Sequence, residues 1–178
     1  MKPKLLLAFC CLLGTITLHA QNDDWVTHTD SAFHFTVLRP TSWEMKLPNT
    51  TTRFFFTSAK ENDTDNFREN INCIAAEINA PGFKVSMAEE NIKSSLAEKL
   101  TDFKLLSSSY VKWNNADALQ MSYTCNQDLN GTTYNIRIFQ HIALVKNVLY
   151  TITFTSMNDT YDKYIDVTNK VLNSFKVD

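Results

Sequence analysis

The sequence predicts an α+β fold in which an antiparallel β-sheet is sandwiched by α-helices, and three observations carry that expectation. The first is Tyr134 to Ser156, where apolar residues fall on alternate positions on both sides of Lys146-Asn147. Ile136, Ile138, Ile142 and Leu144 share one parity; Tyr150, Ile152 and Phe154 repeat the pattern on the returning arm, opposed by Thr151, Thr153 and Thr155. A period of two marks half-buried strands, and Asn at a two-residue connection tolerates the positive φ of a tight hairpin. The second observation is a set of further alternating runs joined by short polar connections, as neighbouring antiparallel strands are. The third is a pair of segments whose apolar residues recur every three or four positions, the spacing of helices that lie on a sheet.

Taken in order, residues 1–20 carry Lys2 and Lys4, an apolar run from Leu5 to Leu13, and His19-Ala20 before the polar Gln21-Asn22-Asp23-Asp24. That is the pattern of a secretory signal peptide, with cleavage expected between Ala20 and Gln21. The run is too short and interrupted for a membrane span, so no stable membrane insertion is expected. Cys10 and Cys11 are not read as lipidation sites, because cleavage there would leave most of the apolar run attached. Residues 21–178 then form a single domain of ordinary length.

Residues 21–31 are polar and read as a loose arm. Phe33, Phe35 and Val37 alternate with His34 and Thr36 in a strand that ends at Arg39-Pro40, since proline cannot donate to a ladder. Thr41-Ser42-Trp43 makes a turn that returns Trp43 to the core, and Thr52 to Ser58 is the next strand. Lys60 to Asn70 is a polar loop, and Ile71 to Ile78 a strand stopped by Ala80-Pro81-Gly82. Ser86-Met87-Ala88-Glu89 has the form of a capping box. The helix it opens places Ala88, Ile92, Leu96, Leu100 and Phe103 on one stripe. Lys104 to Lys112 leads through Asn114 to Asp117 into a strand from Ala118 to Cys125, then a loop from Asn126 to Thr132. After the hairpin, Asn158 or Asp159 caps a last helix with Tyr161, Ile165, Thr168, Leu172 and Phe175 on one stripe.

Composition excludes several function classes. The net charge is −2 with no basic cluster, which argues against nucleic acid as a partner. Beyond residue 20 only Gly82 and Gly131 remain, too few for a phosphate-cradling loop. Asn126, Asp128, Asn130 and Gly131 match the front half of a calcium loop, but the position of its closing glutamate is Arg137, so a plain loop is expected. Glu61, Asp63 and Asp65 read as a solvated acidic loop. His28, His34 and His141 have no metal-ligand spacing, and no cofactor or metal is expected. No nucleophile elbow occurs, and Ser107-Ser108-Ser109 reads as a polar link. Cys73 and Cys125 are either a disulfide, which an oxidising compartment would permit, or two buried thiols.

Four stretches resemble PsbP-like proteins: F-H-F-T-V-L-R-P-T-S-W at Phe33 to Trp43, N-I-N-C-I-A-A at Asn70 to Ala76, Ser86 to Leu106, and L-N-S-F-K-V at Leu172 to Val177. That superfamily takes in the extrinsic PsbP subunit of photosystem II, a yeast Ran-binding import factor, and small exported bacterial proteins such as the DcrB-like lipoproteins. The resemblance implies an α/β/α sandwich and no catalytic site. With the signal peptide it implies a bacterial protein, periplasmic or secreted, monomeric and not an enzyme, that binds an envelope protein or a small ligand as a binding or assembly factor. The alternative is a small-ligand-binding protein or hydrolase with a site near His34 and His141.

Overall fold

A computed structural model describes residues 24–47 and 49–178 of the chain. The expected signal peptide and its Ala20/Gln21 cleavage point lie outside the described residues. Strands β1 (Trp25–Asp30) and β2 (Phe35–Pro40) form a hairpin, completed by β10 (Lys176–Val177) into a three-stranded antiparallel sheet. The remaining strands are β3 (Glu44–Lys46), β4 (Thr52–Thr57), β5 (Asn70–Glu77), β6 (Thr101–Trp113), β7 (Ala116–Leu129), β8 (Thr132–Val145) and β9 (Val148–Met157). They build a seven-stranded antiparallel sheet in the order β3-β4-β5-β9-β8-β7-β6. A short 3-10 turn at Val85–Met87 leads into helix α1 (Glu89–Lys99), and helix α2 (Tyr161–Ser174) precedes β10.

The hairpin at the centre of the large sheet is β8-β9, and Lys146 and Asn147 turn it with φ of 48° and 63°. Such a turn has the right twist for a two-residue hairpin. It pairs Val145 with Val148, and therefore Ala143 with Tyr150 and His141 with Ile152. Even positions on one arm face odd positions on the other. Ile136, Ile138 and Ile142 thus point to one side of the sheet, and Tyr150, Ile152 and Phe154 to the other. The hairpin has two apolar faces, and each carries its own core.

The larger core lies under α2 and the small sheet. It joins Phe35 and Val37 of β2, Phe54 and Phe56 of β4, Ile71 and Cys73 of β5, Tyr150, Ile152 and Phe154 of β9, and Val171, Leu172 and Phe175 at the end of α2. Trp43 is buried there, as expected. The second core, on the opposite face, joins Leu119, Met121, Tyr123 and Cys125 of β7 to the β8 isoleucines, with Val85 pressed into it and α1 lying alongside.

Several expectations are corrected. The polar residues 25–30 form β1, because Trp25 and His28 turn inward while Val26, Thr27 and Thr29 face solvent. Ser86 makes no capping bond, and α1 starts after Ala88. The helix stops at Lys99: Leu100 is already extended and Phe103 belongs to β6, where its ring meets Tyr123 at 5.4 Å. Ser107-Ser108-Ser109, expected as a link, lies in the middle of β6. The loop expected at Asn126 to Thr132 shrinks to a turn at Asn130-Gly131.

The disulfide alternative for Cys73 and Cys125 is ruled out by placement, and both are buried free thiols. Cys73 pairs across β9 and β8 to the level of Gln120 on β7, well along the strand from Cys125, and the two side chains serve opposite cores. Three strand spacings of about 4.8 Å separate them, against the roughly 4 Å between Cβ atoms that a disulfide needs. A thiol titration of denatured, unreduced protein lacking residues 1–20 is expected to count both cysteines as reactive; a blocked pair would contradict this arrangement.

Helix α1 is lightly held, with none of its residues buried. Leu96 is only half-buried, so Leu96→Ala is expected to cost about 1 kcal/mol, below the 2–5 kcal/mol typical of a fully enclosed leucine. Equilibrium urea unfolding measures it.

Candidate functional site

Two grooves flank the segment that runs from Phe83 through α1 on the second face of the large sheet. The larger, of about 510 Å³, is lined by Phe83, Lys84, Val85, Ser86, Tyr110, Asp117 and Leu144. Its floor is the sheet: Tyr110, Asp117 and Leu144 stand on the neighbouring strands β6, β7 and β8. Val85 is buried and anchors the wall, while Lys84 and Ser86 are exposed. The other groove, of about 410 Å³, runs between α1 and β8-β9, with Ile92, Leu96, Ile142 and Leu149 as its apolar surface.

Glu89 fixes the wall of the larger groove to its floor. One carboxylate oxygen accepts from Ser108 Oγ at 2.7 Å and from Lys93 Nζ at 2.6 Å, and the other accepts from Tyr110 Oη at 2.7 Å. The Lys93 hydrogen bond, followed by those of Tyr110 and Ser108, holds the Glu89 carboxyl down at about 2. Burial and then the Glu89 bond push the Tyr110 phenol up to about 12. Both groups are therefore locked in one protonation state near neutral pH, and the cluster acts as a clasp rather than as an acid or base. Sequence spacing gives no hint of it, because Glu89 meets Ser108 and Tyr110 only once β6 lies beneath α1.

The histidines expected as an alternative site are not brought together. His34 is exposed in the turn between β1 and β2, with φ of 49°, and its carbonyl accepts from the Asp178 amide at 2.9 Å. His141 is 2% exposed on β8, its ring 4.7 Å from Trp113 and its Nδ1 3.2 Å from the Gln120 amide nitrogen. Burial lowers its pKa to about 4, and Nε2 has no partner. A neutral imidazole inside an aromatic cluster reaches no substrate. Asp30 accepts from Arg53 Nε at 2.7 Å and the Phe33 amide at 2.9 Å, so it belongs to the turn.

Burial also raises the Cys73 thiol far above its ordinary value, which makes it inert as a nucleophile. The acidic loop is turned in on itself. Asp65 accepts from the amides of Glu61 and Phe67, and Glu61 binds Lys163 at 2.5 Å and Tyr164 at 2.7 Å on α2. Asn126 donates to Asp102 at 2.6 Å and accepts from Asn135 at 3.0 Å, so the residues of the calcium-like run bind neighbouring strands. Arg137 stacks on the Tyr161 ring at 3.8 Å. Among the described residues no group of three or more His, Cys, Asp or Glu could hold a metal ion.

One buried acid lay outside the sequence expectations. Glu69 is 2% exposed and accepts from Ser58 Oγ at 3.2 Å and Thr160 Oγ1 at 2.7 Å, stitching β4, β5 and the start of α2 together. Its carboxyl lies beside Thr160, the residue that precedes α2.

The sequence matches no family model and no curated protein. Solved structures do match. The solution structure of cyanobacterial PsbP from Synechocystis superposes with a TM-score of 0.62 at 15% identity, covering 97% of this chain and 99% of that one. The chain has the PsbP-like fold. LpqN of Mycobacterium tuberculosis, described as involved in cell envelope biogenesis, follows with a TM-score of 0.56 at 12% identity, covering 89% of this chain and 86% of that one. The Ran-binding protein Mog1p of Saccharomyces cerevisiae matches with a TM-score of 0.57 at 10% identity over 87% and 96%. At these identities the likeness is one of fold. In this PsbP-like fold these two grooves and the clasp lie on the α1 face, while α2 and the small sheet pack over the core on the opposite face. Among the described residues no helix is long and apolar enough to cross a membrane.

Proposed function

We propose that the protein is exported by its N-terminal segment and serves in the bacterial envelope as a non-catalytic binding or assembly factor. The observation that carries this reading is the fold shared with a mycobacterial protein described as involved in cell envelope biogenesis, on a chain that opens with the pattern of a signal peptide. The chemistry is consistent with it. His141 is buried and neutral, the Cys73 thiol is held protonated, and Glu89 is consumed by three donors. The grooves on the α1 face offer a binding surface that needs none of them. A small amphipathic ligand is the second reading, favoured by the size and mixed lining of the larger groove.

Expression of the full chain in a bacterium tests export. Intact mass analysis is expected to find a protein beginning at Gln21 in the periplasm or medium; a chain retaining Met1 in the cytoplasm would overturn the reading. A hydrolase at His141 would lose activity in His141→Gln with folding intact. The non-catalytic reading expects no activity for that change to remove.

A further inference from the structure

The seven-stranded sheet has two unlike edges. One is β3, only three residues long. The other is β6, thirteen residues long, with β7 as its one strand partner among the described residues. An exposed edge of this length templates further pairing unless something blunts it. The first half of β6 is blunted: register shifts between Thr101 and Lys104 and between Leu105 and Ser107, with Asp102 at φ of 54°, break the ladder there. From Ser107 to Trp113 the ladder with β7 is continuous, and among the described residues no backbone group of this row is bonded outside it. The row stops at the Asn114-Asn115 turn. Within it every second residue turns its N–H and C=O away from β7.

Two copies of one strand pair antiparallel about a two-fold axis normal to the sheet, and each residue then lies opposite one of its own parity. Only a register centred on Tyr110 uses the whole row. Ser108, Tyr110 and Lys112 lie across β7 from Met121, Leu119 and Asp117, so they stand on the α1 face. There the register sets Tyr110 against the partner's Tyr110, and Ser108 against the partner's Lys112. On the other face it sets Ser107 against the partner's Trp113 and Ser109 against the partner's Val111. No like charges oppose each other. Lys104 falls opposite position 116, past the partner's turn and outside the new ladder.

Charge selects a second copy as the occupant. Glu89 accepts from Ser108 Oγ at 2.7 Å, so its carboxylate stands at the position that the partner's Lys112 would face. Glu89 and Glu90 share one cation, Lys93, at 2.6 and 3.1 Å, which leaves the start of α1 with an excess of negative charge. Lys112 is exposed and pairs with Asp117 on its own chain, so its long stem can reach across the axis. A lysine on an edge strand ordinarily repels a further strand. In this register it meets a carboxylate instead, and symmetry makes the contact twice. Leu105 and Leu106, both exposed, lie just before the row, at the end where the partner's turn would arrive.

We propose that the protein forms a two-fold dimer in which Ser107 to Trp113 of two copies pair antiparallel about Tyr110, joining two seven-stranded sheets into one. The inference goes beyond the binding reading above and does not depend on it, and it replaces the expected monomer. One short strand from each copy makes a small interface, so the dimer is weak and forms with rising concentration.

Sedimentation velocity of the purified protein between about 1 µM and about 1 mM is expected to show a monomer passing into a dimer, with Kd on the order of 10–100 µM. Amide hydrogen exchange should slow across Ser107 to Trp113 over the same range. Lys112→Glu, an exposed change, sets a carboxylate toward Glu89 on both sides of the axis and should weaken the dimer about ten-fold or more. Tyr110→Cys places two thiols on the axis with Cα atoms about 5 Å apart, so mild oxidation should link the chains. Ser107→Cys should not link, because its two copies lie about 20 Å apart along the strands. Cys73 and Cys125 are buried and do not compete. Tyr110→Cys also loses the Glu89 bond, so urea unfolding checks that it is folded, and the Lys112→Glu result stands without it. A monomer up to about 1 mM, protection that rises only in other elements, an unweakened Lys112→Glu dimer, or equal linking of the two cysteine variants would each overturn the proposal.

Discussion

Replacing Phe35 by alanine is expected to lower the free energy of unfolding by about 3–5 kcal/mol, the range for a fully enclosed phenylalanine. The ring is 0% exposed and stacks on Phe175 at 4.5 Å with the planes 18° apart. It also meets Phe54 and Tyr150 edge-on at 6.1 Å each. Those partners belong to the end of α2, to β4 and to β9, so one side chain from the small sheet ties down the large sheet and the closing helix together. Against a total stability of about 5–15 kcal/mol for a domain of this kind, the loss removes a large share of the margin. In urea the midpoint should fall with the m-value unchanged; a shift under 1 kcal/mol would mean that the small sheet is not bound through this ring.

The second large effect is on pH. His141 has a folded pKa of about 4 against an ordinary 6.5, because burial among Trp113 and the core disfavours its charged form. Between those values the unfolded chain binds a proton that the folded chain does not, so stability rises with pH across this window and falls as the solution is acidified from 6.5 toward 4. At 1.36 kcal/mol per unit the whole effect is about 3 kcal/mol, and most of it, roughly 2 kcal/mol, is lost between pH 7 and pH 4.5. Replacement of His141 by leucine removes the titrating group, so the variant should show a stability flatter by that amount over the same interval. Equal slopes for the two proteins would show that His141 keeps an ordinary pKa. Carboxylates act in a lower window: Glu89, held at about 2 by Lys93, Tyr110 and Ser108, favours the folded state above its unfolded pKa near 4 and loses that contribution as pH falls toward 2.

Much of the fold was legible locally. The period of two along β8 and β9 declares strands, and the stripe of Tyr161, Thr168 and Leu172 declares the helix that closes the larger core. The opposed faces of the hairpin were also implicit. A two-residue turn at Lys146-Asn147 pairs positions of opposite parity, so isoleucines at even positions on one arm cannot share a face with even-numbered aromatics on the other. Helix α1 was read too long because Leu100 and Phe103 continue its spacing by coincidence. Helical period within a few residues cannot distinguish a last turn from the first residues of a strand. β6 was missed for the complementary reason: an edge strand exposed on much of its surface carries serines and lysines and shows no alternation.

By itself the sequence determined the class of fold, the strand-turn-strand at its centre and the closing helix, because period, turn residues and apolar stripes are properties of neighbours along the chain. Tertiary structure alone decided which residues meet. Glu89 finds Ser108 and Tyr110, Glu69 finds Ser58 and Thr160, and Cys73 and Cys125 are kept apart, all by the order in which strands are laid side by side. That order also left β6 rather than β8 at the edge. Pairing across strands depends on burial of both sheet faces at once, a constraint that no stretch of sequence carries alone.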